Sequence, residues 1–175
     1  MNKIIEYCYK NRIIASFYCN ENDSNAHLTG YIENYNETEL LIAHISYYGM
    51  YDGYILKRID DIYRIDFGGK YETKVEKLYR YKKQSHESIN ILDGYIIEPL
   101  IEFAQNRNYV VSFEFENSVI SGFVKCFEDD YVSIDIINEY GYCCGRSIFD
   151  IEKVDTISVD TDDEQNFRIL FNQNT

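Results

Sequence analysis

An internal duplication constrains the fold of this chain more than any other feature of its sequence. Residues 4–8 align with residues 100–104 at an offset of 96, and residues 30–32 align with residues 122–124 at an offset of 92. The four-residue difference falls in the loop after Phe17, where a change of length is tolerated. Apolar and glycine positions then stay in register to the end of the chain, which indicates one folding unit encoded twice.

Each copy has the pattern of a short amphipathic helix followed by five strands. Apolar residues at helical spacing predict helices over residues 2–11 and 98–107. Eighteen Tyr and ten Phe with a single Pro favour strands. Alternating apolar and polar residues between turn residues predict strands at 13–19, 28–35, 39–47, 53–58 and 62–67, and at 109–116, 119–127, 130–138, 145–150 and 154–160.

We therefore predict a mostly β fold with short helices, built as two tandem five-stranded barrels, each preceded by a short helix. Closure of a sheet into a barrel removes exposed edges, and Gly30 and Gly122 would supply the bend that closure requires. The predicted domains are repeat 1 over residues 1–80, a connector over 81–97 and repeat 2 over 98–175. Apolar residues at helical spacing indicate that the connector is ordered.

This order of elements resembles the Sm-like fold. Residues 30–36 are similar to the segment between strands two and three of the bacterial host-factor RNA chaperone, and residues 54–62 to its turn between strands four and five. The resemblance covers residues 4–67 and 100–159. It implies small β-barrels that assemble into rings and bind single-stranded RNA through these two loops.

The two copies differ at the loops where the resemblance would place RNA. In repeat 1 the resemblance implies contacts from Tyr35, Lys57 and Arg58. In repeat 2 the corresponding loops carry acidic residues at 128–130 and at Asp150, which would repel phosphates. Single-stranded RNA binding therefore remains an alternative function for repeat 1 only, and a structural oligomerisation module is a further alternative.

The sequence contains no recognisable catalytic or metal-binding motif. His27, His44 and His86 lie in a loop, a strand and the connector, without the spacing of a metal site. The adjacent Cys143 and Cys144 have no histidine in their own repeat, and their role is left open. We predict a protein that is not an enzyme, with no catalytic residues, no metal and no cofactor. The acids at 162–164 could ligate a divalent ion, but a solvated turn or a helix N-terminus is the preferred interpretation.

Negative charge is concentrated in the second half of the sequence. The net charge is −13, of which residues 1–92 contribute −1 and residues 93–175 contribute −12. Solubility alone would explain an acidic surface. The alternative is a binding face for a basic protein, since a clustered negative field accelerates association with a positive partner.

The binding hypothesis has a specific form, an inhibitor or immunity-type protein that blocks a basic enzyme acting on nucleic acid. Aromatic residues would anchor the contact and carboxylates would surround it. The predicted protein-binding residues of repeat 2 are Glu114, Glu116, Glu128, Asp129, Asp130, Tyr131, Asp135 and Tyr140. Because the fused copies supply a partner for one sheet edge, we expect a monomer or dimer.

The sequence also predicts a cytoplasmic location without membrane association. The N-terminus lacks the long apolar stretch of a signal peptide, and no apolar run approaches the roughly 18 residues of a membrane span. The five cysteines are odd in number and show no CxxC spacing, which favours reduced thiols.

Overall fold

A computed structural model describes residues 1–21, 23, 26–91 and 94–174. The chain divides into two units, Met1–Ile96 (unit 1) and Ile97–Thr175 (unit 2). In the described residues, each unit contributes five antiparallel strands and two α-helices. Among the described residues, no helix has the length and apolar character needed to cross a membrane.

The same elements occur in the same order in both units. Unit 1 contains α1 (Asn2–Lys10), β1 (Ala15–Tyr18), β2 (Leu28–Tyr35), β3 (Glu39–Ile45), β4 (Tyr51–Arg58), a 3-10 turn (Ile59–Asp61), β5 (Arg64–Phe67) and α2 (Lys70–Tyr81). Unit 2 contains α3 (Ile97–Asn106), β6 (Val111–Phe115), β7 (Ser118–Glu128), β8 (Tyr131–Ile137), β9 (Cys143–Asp150), a 3-10 turn (Ile151–Lys153), β10 (Thr156–Val159) and α4 (Asp162–Asn174). The described part of the chain is thus mostly β, with four short α-helices.

The prediction of closed barrels is wrong, because the strands of each unit lie in an open order. In unit 1 the order is β5-β1-β2-β3-β4, and in unit 2 it is β10-β6-β7-β8-β9. The outermost strands of each series are not hydrogen-bonded to each other in the described part of the chain. Helices cover apolar sheet surface here, which meets the need to bury it without closure.

In unit 1 the sheet carries a helix on each face. Alternate residues of a strand point to opposite faces, so Phe17 packs with Ile5 of α1 while Ser16 faces α2. On the α2 side, Ile45 packs with Val75 and Tyr79. Each of these apolar side chains is largely removed from water, and burial of one is worth about 1.5–3 kcal/mol.

In unit 2 the same arrangement recurs with different side chains. The inward face of α3 buries Leu100, Ile101, Phe103 and Ala104. On the other face of the sheet, Val110, Phe123 and Ile137 form a cluster against Phe167 and Phe171 of α4. The sheet of unit 2 is therefore also packed between two helices.

Glycine in the second strand of each unit is required by a close backbone approach. A Cβ atom on Gly30 would lie 2.1 Å from the carbonyl oxygen of Ala43, and one on Gly122 would lie 2.2 Å from that of Asp135. Both distances are well inside van der Waals contact. A short distance after each glycine, a β-bulge shifts the register with the third strand. The glycines thus bring strands two and three together at the same place in each unit.

The fold contains two helices beyond those predicted, α2 and α4, one at the end of each unit. Gly68 and Gly69 lead from β5 directly into α2. The connector is ordered through bonds to unit 1, since the Tyr54 hydroxyl donates to the Glu87 carbonyl and the Ile89 amide donates to Glu33. Its described residues form no helix between α2 and α3. Leu92, part of its apolar pattern, lies outside the described residues.

Candidate functional site

A groove of about 550 Å³ opens on the face of the unit 2 sheet that α4 covers. It lies beside the first turns of α4 and extends over β6, β7 and β8. We call it the acidic groove, because it is lined by four carboxylates: Glu114, Glu139, Asp163 and Glu164. Its lining also includes the apolar side chains of Val119 and Phe167. The acidic groove therefore combines negative charge with apolar walls.

A buried hydrogen-bond network fixes the floor of the acidic groove. Glu164 is only 3% exposed, and its Oε1 accepts from the hydroxyl of Ser112. Its Oε2 accepts from the backbone amide of Thr161 at 3.0 Å and also from the Thr161 hydroxyl. The Ser112 hydroxyl lies 2.7 Å from that of Ser121 on the next strand. One carboxylate thus joins the helix N-terminus to two strands and satisfies a donor that the helix leaves open.

Unit 1 repeats this network at the aligned positions. Glu72 is 4% exposed and accepts from Ser16 at 2.7 Å through Oε1. Its Oε2 accepts from the Gly69 amide at 3.1 Å, and Ser16 lies 3.3 Å from Thr29. Because both copies use the same buried glutamate, the network is a structural feature of the unit. It does not account for the acidic character of the groove in unit 2.

The difference between the copies lies in the side chains above this network. At the positions of Glu114, Val119, Glu139 and Asp163, unit 1 has Tyr18, His27, Tyr47 and Tyr71. The His27 ring lies 4.9 Å from those of Tyr18 and Tyr71. Tyr47 lies 6.0 Å from Tyr71. Unit 1 thus places a cluster of rings where unit 2 has the acidic groove.

The β8–β9 turn holds Glu139 in place at the groove. Asn138 accepts from the amides of Tyr140 and Tyr142 at 3.1 and 2.9 Å, which orders the turn that carries Glu139. A hydrogen bond to Glu139 raises the pKa of the Tyr140 hydroxyl. Gly141, with φ of +79°, lies against α4, where a Cβ would come within 2.5 Å of its backbone. The turn bearing Glu139 is therefore docked on the helix that bears Asp163.

The structure separates the predicted protein-binding residues into two groups. Glu114 lies in the groove, and the exposed Glu116 lies in the β6–β7 turn. At the other end of β7, the exposed hairpin tip carries Glu128, Asp129, Asp130 and Tyr131. From Val119 to Glu128 an extended strand spans at most about 30 Å. The predicted residues therefore form two acidic surfaces at opposite ends of β7.

The hairpin tip has a backbone suited to its two aspartates. Asp129 and Asp130 have φ of +50° and +65°, the left-handed conformation that Asp and Asn adopt more readily than other non-glycine residues. The Tyr131 side chain beside them is 54% exposed. The tip presents acids and an aromatic ring to solvent, as the hypothesis of a protein-binding surface requires.

The remaining two predicted residues differ in their surroundings. Asp135 is held by two cations of its own unit, with Arg146 Nε at 2.9 Å and Lys125 Nζ at 3.1 Å. These hydrogen bonds, first that of Arg146, lower the pKa of Asp135. Its charge is therefore compensated within unit 2. Tyr140 is 65% exposed, beside Glu139 at the rim of the groove.

The residues of the RNA alternative lie together at one end of the unit 1 sheet. Tyr35 pairs with Leu40, and Leu40 pairs on its other side with Lys57. Arg58 follows at the end of β4 and is exposed. The Tyr35 ring is half-buried and packs edge-on against Tyr9 of α1 at 5.4 Å. The structure thus brings Tyr35, Lys57 and Arg58 together, and the Tyr35 ring already contacts α1.

His86 of the connector is enclosed by tyrosines of unit 1. Its Nδ1 lies 2.7 Å from the Tyr79 hydroxyl, and its Nε2 lies 3.0 Å from the Gly53 carbonyl. Rings of Tyr51 and Tyr54 lie 4.6 and 5.2 Å away. Burial lowers the pKa of His86 to about 4, and burial also raises the pKa of Tyr79 to about 12. Both groups are therefore neutral at pH 7, and the hydrogen bonds of His86 attach the connector to α2 and β4.

The other chemistry-bearing residues are dispersed. His44 Nδ1 lies 3.1 Å from Asp52. Cys126, Cys143 and Cys144 are exposed free thiols, and Cys8 is buried. In the described ranges, no group of three or more His, Cys, Asp or Glu side chains is arranged to hold a metal ion.

Sequence reasoning did not assign a binding role to Glu139, Asp163 and Glu164. Asp163 and Glu164 were considered as a helix N-terminus, and they do lie in the first turn of α4. A signal for the groove was present in the duplication. The alignment at offset 92 places Tyr47 over Glu139 and Tyr71 over Asp163, so ring positions of one copy are acidic in the other.

Comparison with protein-family models, with curated proteins and with solved structures finds no match to this chain. A function must therefore be argued from the chain's own residues and from the differences between its two units.

Proposed function

We propose that this chain is a non-enzymatic protein-binding module that uses unit 2 to bind a basic protein. The supporting observation is the division of charge between the units. Unit 1 holds 12 basic and 14 acidic residues, whereas unit 2 holds five basic and 16 acidic residues, a net charge of −11. Two units with the same elements thus differ mainly in their electrostatic field, and solubility does not require the charge to be on one of them.

Acidic residues of unit 2 line two ordered surfaces, the acidic groove and the hairpin tip. The tip offers Glu128, Asp129 and Asp130 beside an exposed tyrosine, a combination that suits a desolvated aromatic contact with a charged rim. Complementary fields of this kind raise association rates by 10- to 1000-fold, and salt weakens the effect. A partner with a positive cleft would be attracted most strongly.

Proteins with positive clefts include those that act on nucleic acid, so the specific form of the proposal is an inhibitor or immunity-type protein against such an enzyme. We also propose that the units are diverged Sm-like repeats. The shared element order and the strand-two glycines support this relationship. The carboxylates at the aligned loops of unit 2 would then have replaced a nucleic-acid surface by a surface for protein.

The test begins with capture of partners from the native host on the immobilised chain, after nuclease treatment. The captured protein is identified, purified and assayed for binding and for nuclease activity. We expect a basic protein whose Kd rises by at least tenfold between about 0.05 and 0.3 M salt, and whose activity is lost at stoichiometric ratio. Binding that is indifferent to salt and to charge reversal at Asp129 and Asp130 would contradict the proposal.

A second candidate is single-stranded RNA binding by unit 1, favoured by the register that aligns Tyr35 with Lys57 across Leu40. A base would stack on the tyrosine while Lys57 and Arg58 contact phosphates. Fluorescence anisotropy with a labelled uridine oligonucleotide at low salt tests this function. Binding that is lost in the K57E/R58E variant supports it, and absence of binding at micromolar protein refutes it.

A further inference from the structure

We infer that the acidic groove is a binding site for one arginine side chain of the partner protein. This inference rests on the proposed function and assigns it a residue-level contact. The groove has a volume of about 550 Å³, four carboxylates in its lining and apolar side chains between them. A long side chain with an apolar stem and a cationic head fits within this volume and complements both the carboxylates and the apolar lining.

The equivalent position in unit 1 supports this inference. There the ring cluster is completed by a cation, since Lys74 Nζ of α2 lies 3.2 Å from the centroid of the Tyr47 ring. The residue aligned with Lys74 in unit 2 is Asn166. Unit 1 thus fills this position with its own rings and its own ammonium group, whereas unit 2 has lost both. In unit 2, a flat cationic side chain from a partner would occupy the place that the rings and the Lys74 ammonium group occupy in unit 1.

The charged residues around the groove also favour a bound cation. Glu114 and Glu139 line it from the sheet and the β8–β9 turn, and Asp163 lines it from the first turn of α4. The cation of α4 itself, Arg168, is directed elsewhere. Its guanidinium lies 3.3 Å from Asp160 and 4.5 Å from the Tyr109 ring centroid. Carboxylates from three elements thus line one groove, and a groove lined by one sign of charge attracts the opposite charge.

Arginine fits the groove better than lysine for a geometric reason. A planar guanidinium can donate to two carboxylates at once and can stack on a ring, whereas an ammonium acts as a point charge. The groove offers carboxylates from the sheet, a turn and a helix, together with the half-buried ring of Phe167. The methylene stem would pack against Val119.

The test uses short blocked peptides with one central arginine, titrated into the full chain and followed by NMR at about 0.1 M salt. At this ionic strength the Debye length is about 10 Å, so charges at the hairpin tip contribute little to binding in the groove. Matched peptides carry citrulline, which keeps the shape without the charge, or lysine. We expect the arginine peptide to shift the amide signals of Ser121, Glu139 and Phe167, and the citrulline peptide to leave them unchanged.

Two matched variants locate the binding. The E139Q/D163N variant removes two exposed carboxylates from the groove, and D129N/D130N removes two from the hairpin tip, where Asn also tolerates the left-handed backbone. We expect the groove variant to weaken arginine-peptide binding at least fivefold and the tip variant to change it less than twofold. Equal losses in both variants, or shifts confined to other regions, would overturn the inference.

A polycation distinguishes failure of the inference from failure of the proposed function. Poly-L-lysine is titrated into the wild-type chain at low salt. If poly-L-lysine binds and the arginine peptide leaves the groove signals unchanged, the groove assignment is refuted while the acidic unit still binds cations. If poly-L-lysine does not bind at all, the proposed function itself fails.

Discussion

The buried His86 makes the stability of unit 1 depend on pH in a way that can be calculated. In the folded chain its ring is neutral, since one nitrogen donates to the Gly53 carbonyl and the other accepts from the Tyr79 hydroxyl. Burial lowers the pKa from 6.5 to about 4. In the unfolded chain the imidazole has its ordinary pKa, near 6.5. Between these two values the unfolded state binds more protons than the folded state.

The sign and the magnitude follow from proton linkage. Where the unfolded state binds more protons, stability rises with pH, so the contribution of His86 is present above pH 6.5 and is lost as the pH falls toward 4. A shift of one pKa unit corresponds to 1.36 kcal/mol, so the full loss amounts to about 3 kcal/mol. Half of it is expected near pH 5.25.

The assay compares urea unfolding of the wild type and the H86N variant at pH 7.5, 5.25 and 4. Asparagine does not titrate, so the difference in free energy of unfolding between the two proteins should shrink by about 3 kcal/mol over this range. The Y54F variant is the matched control. It removes another connector contact, the hydrogen bond to Glu87. Tyrosine and phenylalanine are both uncharged between pH 4 and 7.5, so the difference between Y54F and the wild type should not change with pH.

An NMR titration of the His86 ring measures the same quantity directly. We expect a midpoint near pH 4. A midpoint near 6.5, or a wild-type and H86N difference that is constant with pH, would refute the assignment of a buried neutral imidazole.

Three further predictions concern the fold and its assembly. Alanine at Gly30 or Gly122 forces a Cβ against a strand-three carbonyl, so each substitution should lower the free energy of unfolding by about 1–3 kcal/mol in a urea titration, and a neutral result would contradict the close approach. S112A removes a donor from the buried Glu164 and should cost about 1–3 kcal/mol, whereas S118A, at the exposed start of β7, should be near neutral. Sedimentation at several concentrations should show a monomer or dimer, and a larger ring would exclude that assembly.

Local sequence pattern was sufficient to predict most of the regular structure. The predicted strand at residues 28–35 has the bounds of β2, and the predicted helix at 2–11 differs from α1 by a single residue. Both have clear periodicity, and the duplication gives each pattern an independent second occurrence. α4 was harder to predict, because Ile169 and Leu170 are exposed and its apolar stripe is weak.

The open sheet could not be predicted in the same way. Glycine in a strand is compatible with a bend for closure and also with close contact between two strands, and the sequence does not distinguish these roles. In the structure Gly30 and Gly122 make the close contact, and helices on both faces bury the sheet. Which of the two roles applies depends on where α2 and α4 pack.

The sequence by itself determined that the chain is one β-rich unit encoded twice, because matching apolar and glycine positions are a local property that survives alignment. It also determined that nearly all the net negative charge belongs to the second copy, since charge can be counted without coordinates. Only the tertiary structure decided which acids lie on the same surface. Glu114, Glu139 and Asp163 are up to 49 residues apart along the chain, and they line one groove because a strand, a turn and a helix N-terminus pack at the same end of the sheet. It likewise paired Asp135 with Lys125 and Arg146, which removes from the acidic surface a charge that the sequence alone assigned to it.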